Sequence, residues 1–255
     1  MRDFIGKVAL ITGGGGGTLG PAMAAAYAKA GAAVALCDKR PGKSAEKAAA
    51  LQSTYAGMVA AYDVDIADRS AVQAMVKDIE AHLGKIDILV GNAAEATFEP
   101  FERHTMETWD RIIEVDLTAN YHLARLVLPS MVERKDGNLL FIGSVASWIH
   151  AADLLPGEFS YAVAKSGLTT LTRTIAAEFG PHGIRCNGIA PGLIESGFTR
   201  SHQSFSAKIR DRTPLRKLGT PDDIVNAALF LTCDRSAGFI TGETICVSGG
   251  LHMRV

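Results

Sequence analysis

The 255-residue chain carries 26 Lys and Arg against 27 Asp and Glu, a formal net charge of −1 that leaves no electrostatic footprint for nucleic acid or an anionic membrane. With 47% hydrophobic and 21% charged residues, it has the make-up of an ordinary globular protein rather than a disordered one. Small molecules are therefore the expected partners, with no nucleic acid and no membrane. The four cysteines, Cys37, Cys186, Cys233 and Cys246, include no C-x-x-C pair, and three of them fall in apolar runs where a thiol packs as a small hydrophobe. Neither a disulfide framework nor a metal constellation is expected. The first residues lack the pattern of a cleaved leader, and the Ala-rich stretch 22–36 is interrupted by Lys29 and Gly31 before it could span a bilayer. A cytoplasmic protein is the expectation.

In chain order, apolar runs at 8–12, 33–37, 58–61, 86–90, 139–142, 184–189 and 244–247 predict strands. Between them, amphipathic or Ala-rich stretches at 21–30, 44–52, 70–82, 106–132, 160–179 and 221–231 predict helices. Such alternation predicts a doubly wound α/β fold, with a parallel seven-stranded sheet covered by helices on both faces. Nearly continuous apolar strands such as V-A-L-I-T and I-D-I-L-V suit a sheet buried on both sides. A single catalytic domain over residues 1–255 is expected, with no linker or repeat. Residues 191–220, rich in glycine, proline, serine and charge, predict a long irregular loop of the kind that serves as an active-site lid.

Directly after the first strand comes T-G-G-G-G-G-T-L-G, opening the first helix. Glycines let the backbone approach a pyrophosphate, and the helix start offers unpaired N–H groups and a favourable dipole. Gly15, Gly17 and Gly20 satisfy G-x-G-x-x-G, although so many glycines would satisfy several such patterns. Asp38 ends the second strand, where a ribose-binding carboxylate belongs. It would accept hydrogen bonds from both ribose hydroxyls and repel a 2′-phosphate, favouring NAD over NADP. Lys39 and Arg40, which follow at once, could tolerate that phosphate.

F-I-G-S-V-A-S follows the fifth strand, and S-Y-A-V-A-K opens the next helix, so Tyr161 and Lys165 share one helical face. A free phenol, with a pKa of about 10, is a poor base near neutrality. A neighbouring ammonium and a cationic nicotinamide both favour the phenolate.

These motifs together resemble the short-chain dehydrogenase/reductase family in its compact, single-domain, Rossmann-type branch, from about residue 7 to 250. Besides the glycine loop and Y-x-x-x-K, the matching motifs are Asp63–Val64, N-A-A at Asn92, Ser144, and N-G-I-A-P-G ending at Gly192. The resemblance implies that Gly13, Gly17, Thr18, Leu19 and Gly20 cradle the cofactor phosphates. Asp63 and Val64 would contact the adenine, Asn92 would support the sheet, and Pro191, Gly192 and Ile194 would border the nicotinamide. Ser144 would hold the substrate oxygen, Tyr161 would move its proton, and Lys165 would also bind the nicotinamide ribose. A homotetramer or homodimer, paired through the helices at 106–132 and 160–179, is implied in the same way.

The chain departs from the family in four places. Thr18 stands where a glycine is expected if Gly20 is the last of the loop. Ala94 replaces a glycine. The family's helix asparagine, which helps hold a water behind the lysine, aligns with Asp116, whose carboxylate would pull on Lys165; Asn120, one turn later, is a second candidate for that place. The Ser144–Tyr161 spacing is long, which leaves Ser147 as an alternative serine. The loop over residues 143–160, with Trp148, His150, Asp153 and Glu158, is expected to line a substrate pocket with Glu95 and the lid, suited to a small hydroxylated substrate. The leading expectation is an NAD-dependent secondary-alcohol dehydrogenase or ketone reductase. The alternatives are an NADP-dependent 3-oxoacyl-carrier reductase, an epimerase or dehydratase, and a non-catalytic dinucleotide-binding regulator.

Overall fold

A computed structural model of the chain describes residues 3–97, 99–149 and 158–253. Seven strands, β1 (Val8–Thr12), β2 (Ala33–Asp38), β3 (Val59–Asp63), β4 (Ile88–Gly91), β5 (Gly137–Ile142), β6 (Ile184–Pro191) and β7 (Thr244–Val247), pair in parallel in the order β3-β2-β1-β4-β5-β6-β7. The strand order reverses between β1 and β4, the switch point at which doubly wound folds open a crevice beyond the strand carboxyl ends.

Side chains alternate across the sheet and feed two cores. Leu10, Cys37, Leu89 and Phe141 face one layer, while Ile11, Leu36, Val90 and Leu140 face the other. The first layer holds α3 (Arg69–His82), α5 (Ala119–Arg134) and α6 (Phe159–Phe179); the second holds α1 (Leu19–Lys29), α2 (Lys43–Thr54) and α9 (Pro221–Thr232). In α3 the buried residues Val72, Met75, Val76 and Ile79 recur at helical spacing. Its start is fixed by Asp68, which accepts the Ser70 and Ala71 N–H groups. In the second layer α1 and α9 are tied by the Tyr27–Thr232 hydroxyl hydrogen bond of 2.8 Å.

Two expectations need correction. The single helix expected over 106–132 is instead α4 (Met106–Ile113), a π-helical turn over Glu114–Thr118, and α5. The turn carries Asp116 into the protein interior, the kind of local widening found at functional sites. The stretch expected to be irregular, 191–220, holds α7 (Gly197–Ser201) and α8 (Gln203–Arg212). A reciprocal cap between Ser196 and Thr199 starts α7. Both helices are short and mostly polar, so their apolar period is weak. The short α10 (Asp234–Ala237) follows α9.

Candidate active site

At the β1/β4 switch point lies a cleft of about 680 Å³. Its floor is the glycine loop. Gly13 and Gly17 have left-handed φ values of 65° and 68°, which glycine adopts without strain. A Cβ on Gly20 would stand 2.0 Å from the Gly13 carbonyl oxygen, so the last glycine of the loop is required by close packing. The helix α1 begins after Thr18, whose side chain makes no capping bond, leaving the first N–H groups of the helix directed at the cleft. Thr12 and Asn92 join the two strands that flank the cleft: Asn92 Nδ2 donates to Thr12 O (2.8 Å), and Thr12 Oγ1 accepts from Asn92 N (2.9 Å). Glycines open to the cleft, a free helix start and a carboxylate at the β2 end together fit the pyrophosphate and ribose of a dinucleotide.

That carboxylate is Asp38, which is buried. Arg40 holds it at both oxygens, donating from Nε at 2.9 Å and Nη2 at 2.8 Å, with its backbone N–H at 3.0 Å. Burial pushes the Asp38 carboxyl up, but the bonds from Arg40 outweigh it and hold the group below its ordinary value. The neighbouring Lys39 reaches across the cleft mouth to Glu95, 2.6 Å away, and Arg111 ties Glu95 (2.5 Å) to Asp65 (2.8 Å). Burial raises the Glu95 carboxyl, and the bonds from Arg111 and Lys39 bring it below its ordinary value.

Val64, Asn92 and Ile194 also line the cleft, together with Asp65 and Ile66. Asp63 does not. Its carboxylate accepts the Gly42 N–H (2.8 Å) instead, which leaves Val64, Asp65 and Ile66 as the wall on that side. Pro191 ends β6 opposite Val247, and Gly192 donates to the Val247 carbonyl (3.0 Å). Ile194 is pinned by a bridge to Gly219, which joins the two ends of the segment 194–219.

The second half of the site sits at the end of β5. Ser144 begins the turn Val145–Ser147, accepting the Ala146 N–H (3.1 Å), and its hydroxyl favours ionisation of the Tyr161 phenol. Ser147 Oγ, the alternative serine, is buried and has no hydrogen-bond partner among the described residues. One helical turn on from Tyr161, Lys165 Nζ lies 5.5 Å from the Tyr161 ring centre and donates to Ile142 O (3.1 Å). Lys165 and Asp116 are 2% and 0% exposed, and their charged atoms are 3.1 Å apart. Asn120 donates to the Asp116 carbonyl (3.1 Å) rather than facing the lysine.

The electrostatics differ from the simple Tyr–Lys expectation. Burial pushes the Tyr161 phenol above its ordinary value; Lys165 pulls it back, and Asp116 pushes it up again. Burial alone would depress Lys165, but Asp116 and Tyr161 lift it above its ordinary value, which favours the ammonium form. Ser144, after β5, and Tyr161 and Lys165, one turn apart on α6, thus offer a hydroxyl, a phenol and an amine to one site.

Arg111 and His252 escaped the sequence reading. His252 stacks on Trp148 at 5.2 Å, bringing the end of the chain to the loop after Ser144. Neither residue belongs to a local motif, so only the tertiary contact reveals it. His150 and Asp153 lie outside the described residues. Among those described there is no cluster of side chains able to hold a metal ion and no helix long and apolar enough to cross a membrane.

Comparison with known proteins agrees with this geometry. A family model described as enoyl-(acyl carrier protein) reductase matches residues 16–252. The 3-oxoacyl-[acyl-carrier-protein] reductase FabG of Escherichia coli is 34% identical over 253 residues, covering 98% of this chain and 99% of the relative. A 7α-hydroxysteroid dehydrogenase, solved with NADH and 7-oxo glycochenodeoxycholic acid, superposes with a TM-score of 0.90 at 35% identity, covering 98% of this chain and 95% of that one. A candidate NAD(P)-dependent gluconate 5-dehydrogenase from Beutenbergia cavernae, solved with NADP at low occupancy, superposes with a TM-score of 0.89 at 29% identity, covering 98% and 99%. The nucleotide-shaped cleft, the sheet order and these matches together make the chain a member of the short-chain dehydrogenase/reductase family, and an oxidoreductase by class.

Proposed function

We propose that the protein interconverts a secondary alcohol and a ketone on a small, hydroxylated substrate, with NAD as its preferred cofactor. The observation that carries the reading is the Ser144–Tyr161–Lys165 cluster, linked through Asp116 to Glu95 on the wall of a cleft that fits a dinucleotide. A nicotinamide bound there supplies the hydride chemistry. Gly13, Gly17, Thr18, Leu19 and Gly20 would hold its phosphates, Asp38 the adenosine ribose, and Lys165 the nicotinamide ribose. Asn92 would hold the cleft floor, while Val64, Pro191, Gly192 and Ile194 would border the remaining parts. Ser144 orients the substrate oxygen. During reduction Tyr161 hands its phenolic proton to that oxygen and is left as phenolate; during oxidation it takes the proton back. Lys165 stabilises the phenolate.

The NAD preference rests on Asp38, whose ionised carboxylate disfavours a 2′-phosphate, while both cations beside it are already matched by acids. A 3-oxoacyl-carrier reductase using NADP is the second reading, supported by the similarity to FabG. Loops 143–160 and 191–220 would shape the substrate pocket. Free cysteines support a cytoplasmic setting. An apolar groove between α5 and α6, lined by Leu128, Val132, Leu171, Ile175 and Phe179, supports pairing into a homodimer or homotetramer.

Tyr161→Phe tests the reading. It is expected to retain NADH binding, followed by nicotinamide fluorescence, while turnover in both directions falls by about a thousandfold or more, in line with the loss of acid–base catalysis. Unimpaired turnover overturns the role of Tyr161.

A further inference from the structure

Behind the tyrosine and lysine stands a buried carboxylate whose effect runs against theirs. Asp116 is carried inward by the π-helical turn, is fully buried, and meets Lys165 Nζ at 3.1 Å. Its other oxygen accepts the Glu95 N–H at 2.8 Å, so the side chain is held at both ends. A carboxylate so placed is costly to bury unless paired, and its partner is the same ammonium that Tyr161 depends on.

We infer that Asp116 is a positioning residue that acts through Lys165, drawing the ammonium's field away from Tyr161 so that the phenol stays protonated and the site favours proton donation near neutral pH. The inference rests on the reading of Tyr161 as the acid–base group. An amide at position 116 would keep the Glu95 N–H bond through its oxygen but carry no charge. The whole ammonium field would then act on the phenol.

Among the described residues, the charged and titratable groups around the pair enter the balance as follows. Tyr161 faces Lys165 on its own helix, Asp116 from the π-helical turn, the Ser144 hydroxyl from the turn after β5, and Glu158 from the segment before α6. Lys165 faces Asp116 and Tyr161. Asp116 faces Lys165 and Glu95, and Glu95 is itself matched by Arg111 and Lys39. His104 contacts the neighbouring Ser160 hydroxyl (3.0 Å). The directions agree with the geometry: burial and Asp116 raise the phenol, and Lys165 alone among the charged groups lowers it.

The test is Asp116→Asn, read in two ways. Without cofactor, the ultraviolet difference spectrum against the same protein carrying Tyr161→Phe reports ionisation of this one phenol. Its midpoint is expected to fall by about one pH unit or more on removing the carboxylate. In turnover, the rise of alcohol oxidation with pH and the loss of ketone reduction with pH should both move to lower pH, because both follow the phenol. A purely structural role lowers rates without moving either midpoint, and unmoved midpoints overturn the inference. Should the variant not fold, the difference titration of the unsubstituted protein decides instead. A phenol midpoint above the value of about 10 for free tyrosine supports the inference, and one below it overturns it. If Tyr161→Phe turns over normally, the acid–base reading itself falls. If that variant is inactive while Asp116→Asn leaves both midpoints in place, only the role of Asp116 falls.

Discussion

Two hydrogen-bonding demands compete at Asp38. Its carboxylate stands where ribose hydroxyls would be recognised, yet both oxygens already accept bonds from Arg40. A ribose can use them only if the guanidinium swings aside, whereas a 2′-phosphate would draw the same guanidinium toward itself. Any activity with NADP would therefore depend on Arg40, while the proposed NAD preference rests on Asp38. Arg40→Ala is expected to leave kcat/KM with NAD within about threefold and to lower it with NADP by roughly tenfold or more, the worth of one charge-assisted bond. Steady-state kinetics with both cofactors measure this. A protein that already prefers NADP contradicts the ribose argument, and an NADP rate that survives the substitution contradicts the role of Arg40.

At the scale of elements, helix starts and irregular turns decide where the chemistry sits. The helix α9 begins at a reciprocal cap: Thr220 Oγ1 accepts the Asp223 N–H, and Asp223 Oδ2 accepts the Thr220 N–H at 2.7 Å. Gly219, just before it, bridges to Ile194, so the cap adjoins the point where the segment 194–219 closes on itself. Thr220→Ala is expected to cost about 1 kcal/mol and lower the melting temperature by about 2–4 °C, measured by calorimetry or circular dichroism. The helix over 221–231 was legible in the sequence because its apolar period is local. The π-helical turn was not, since M-E-T-W-D-R-I-I-E-V-D-L-T keeps one helical period throughout. The turn brings Asp116 to Lys165, about fifty positions away in the chain, a contact that no local spacing reveals.

Over the whole molecule, one of the two helix layers keeps an apolar groove. The groove between α5 and α6 leaves Leu171 and Phe179 partly buried beside Leu128 and Ile175. Apolar surface left open in this way is covered favourably by a second copy of the chain. Light scattering is expected to return a multiple of the chain mass, and Leu171→Glu, which puts a charge into that groove, should reduce it to the smaller species. A native protein that already scatters as a monomer contradicts the pairing.

By itself the sequence determined the alternating α/β order, the glycine loop, the acid after β2, and the tyrosine and lysine one helical turn apart. These features are written in local spacing, where hydrophobic period, capping and backbone freedom act over a few residues. Tertiary structure alone decided the reversal of strand order beside the glycine loop, the turning of Asp63 away from the cleft, and the grip of Arg40 on Asp38. It also decided the burial of Asp116 against Lys165. Each of these depends on which charges and backbone groups meet across distant segments once water is excluded. There the strength of an ion pair is set by burial and distance rather than by order along the chain.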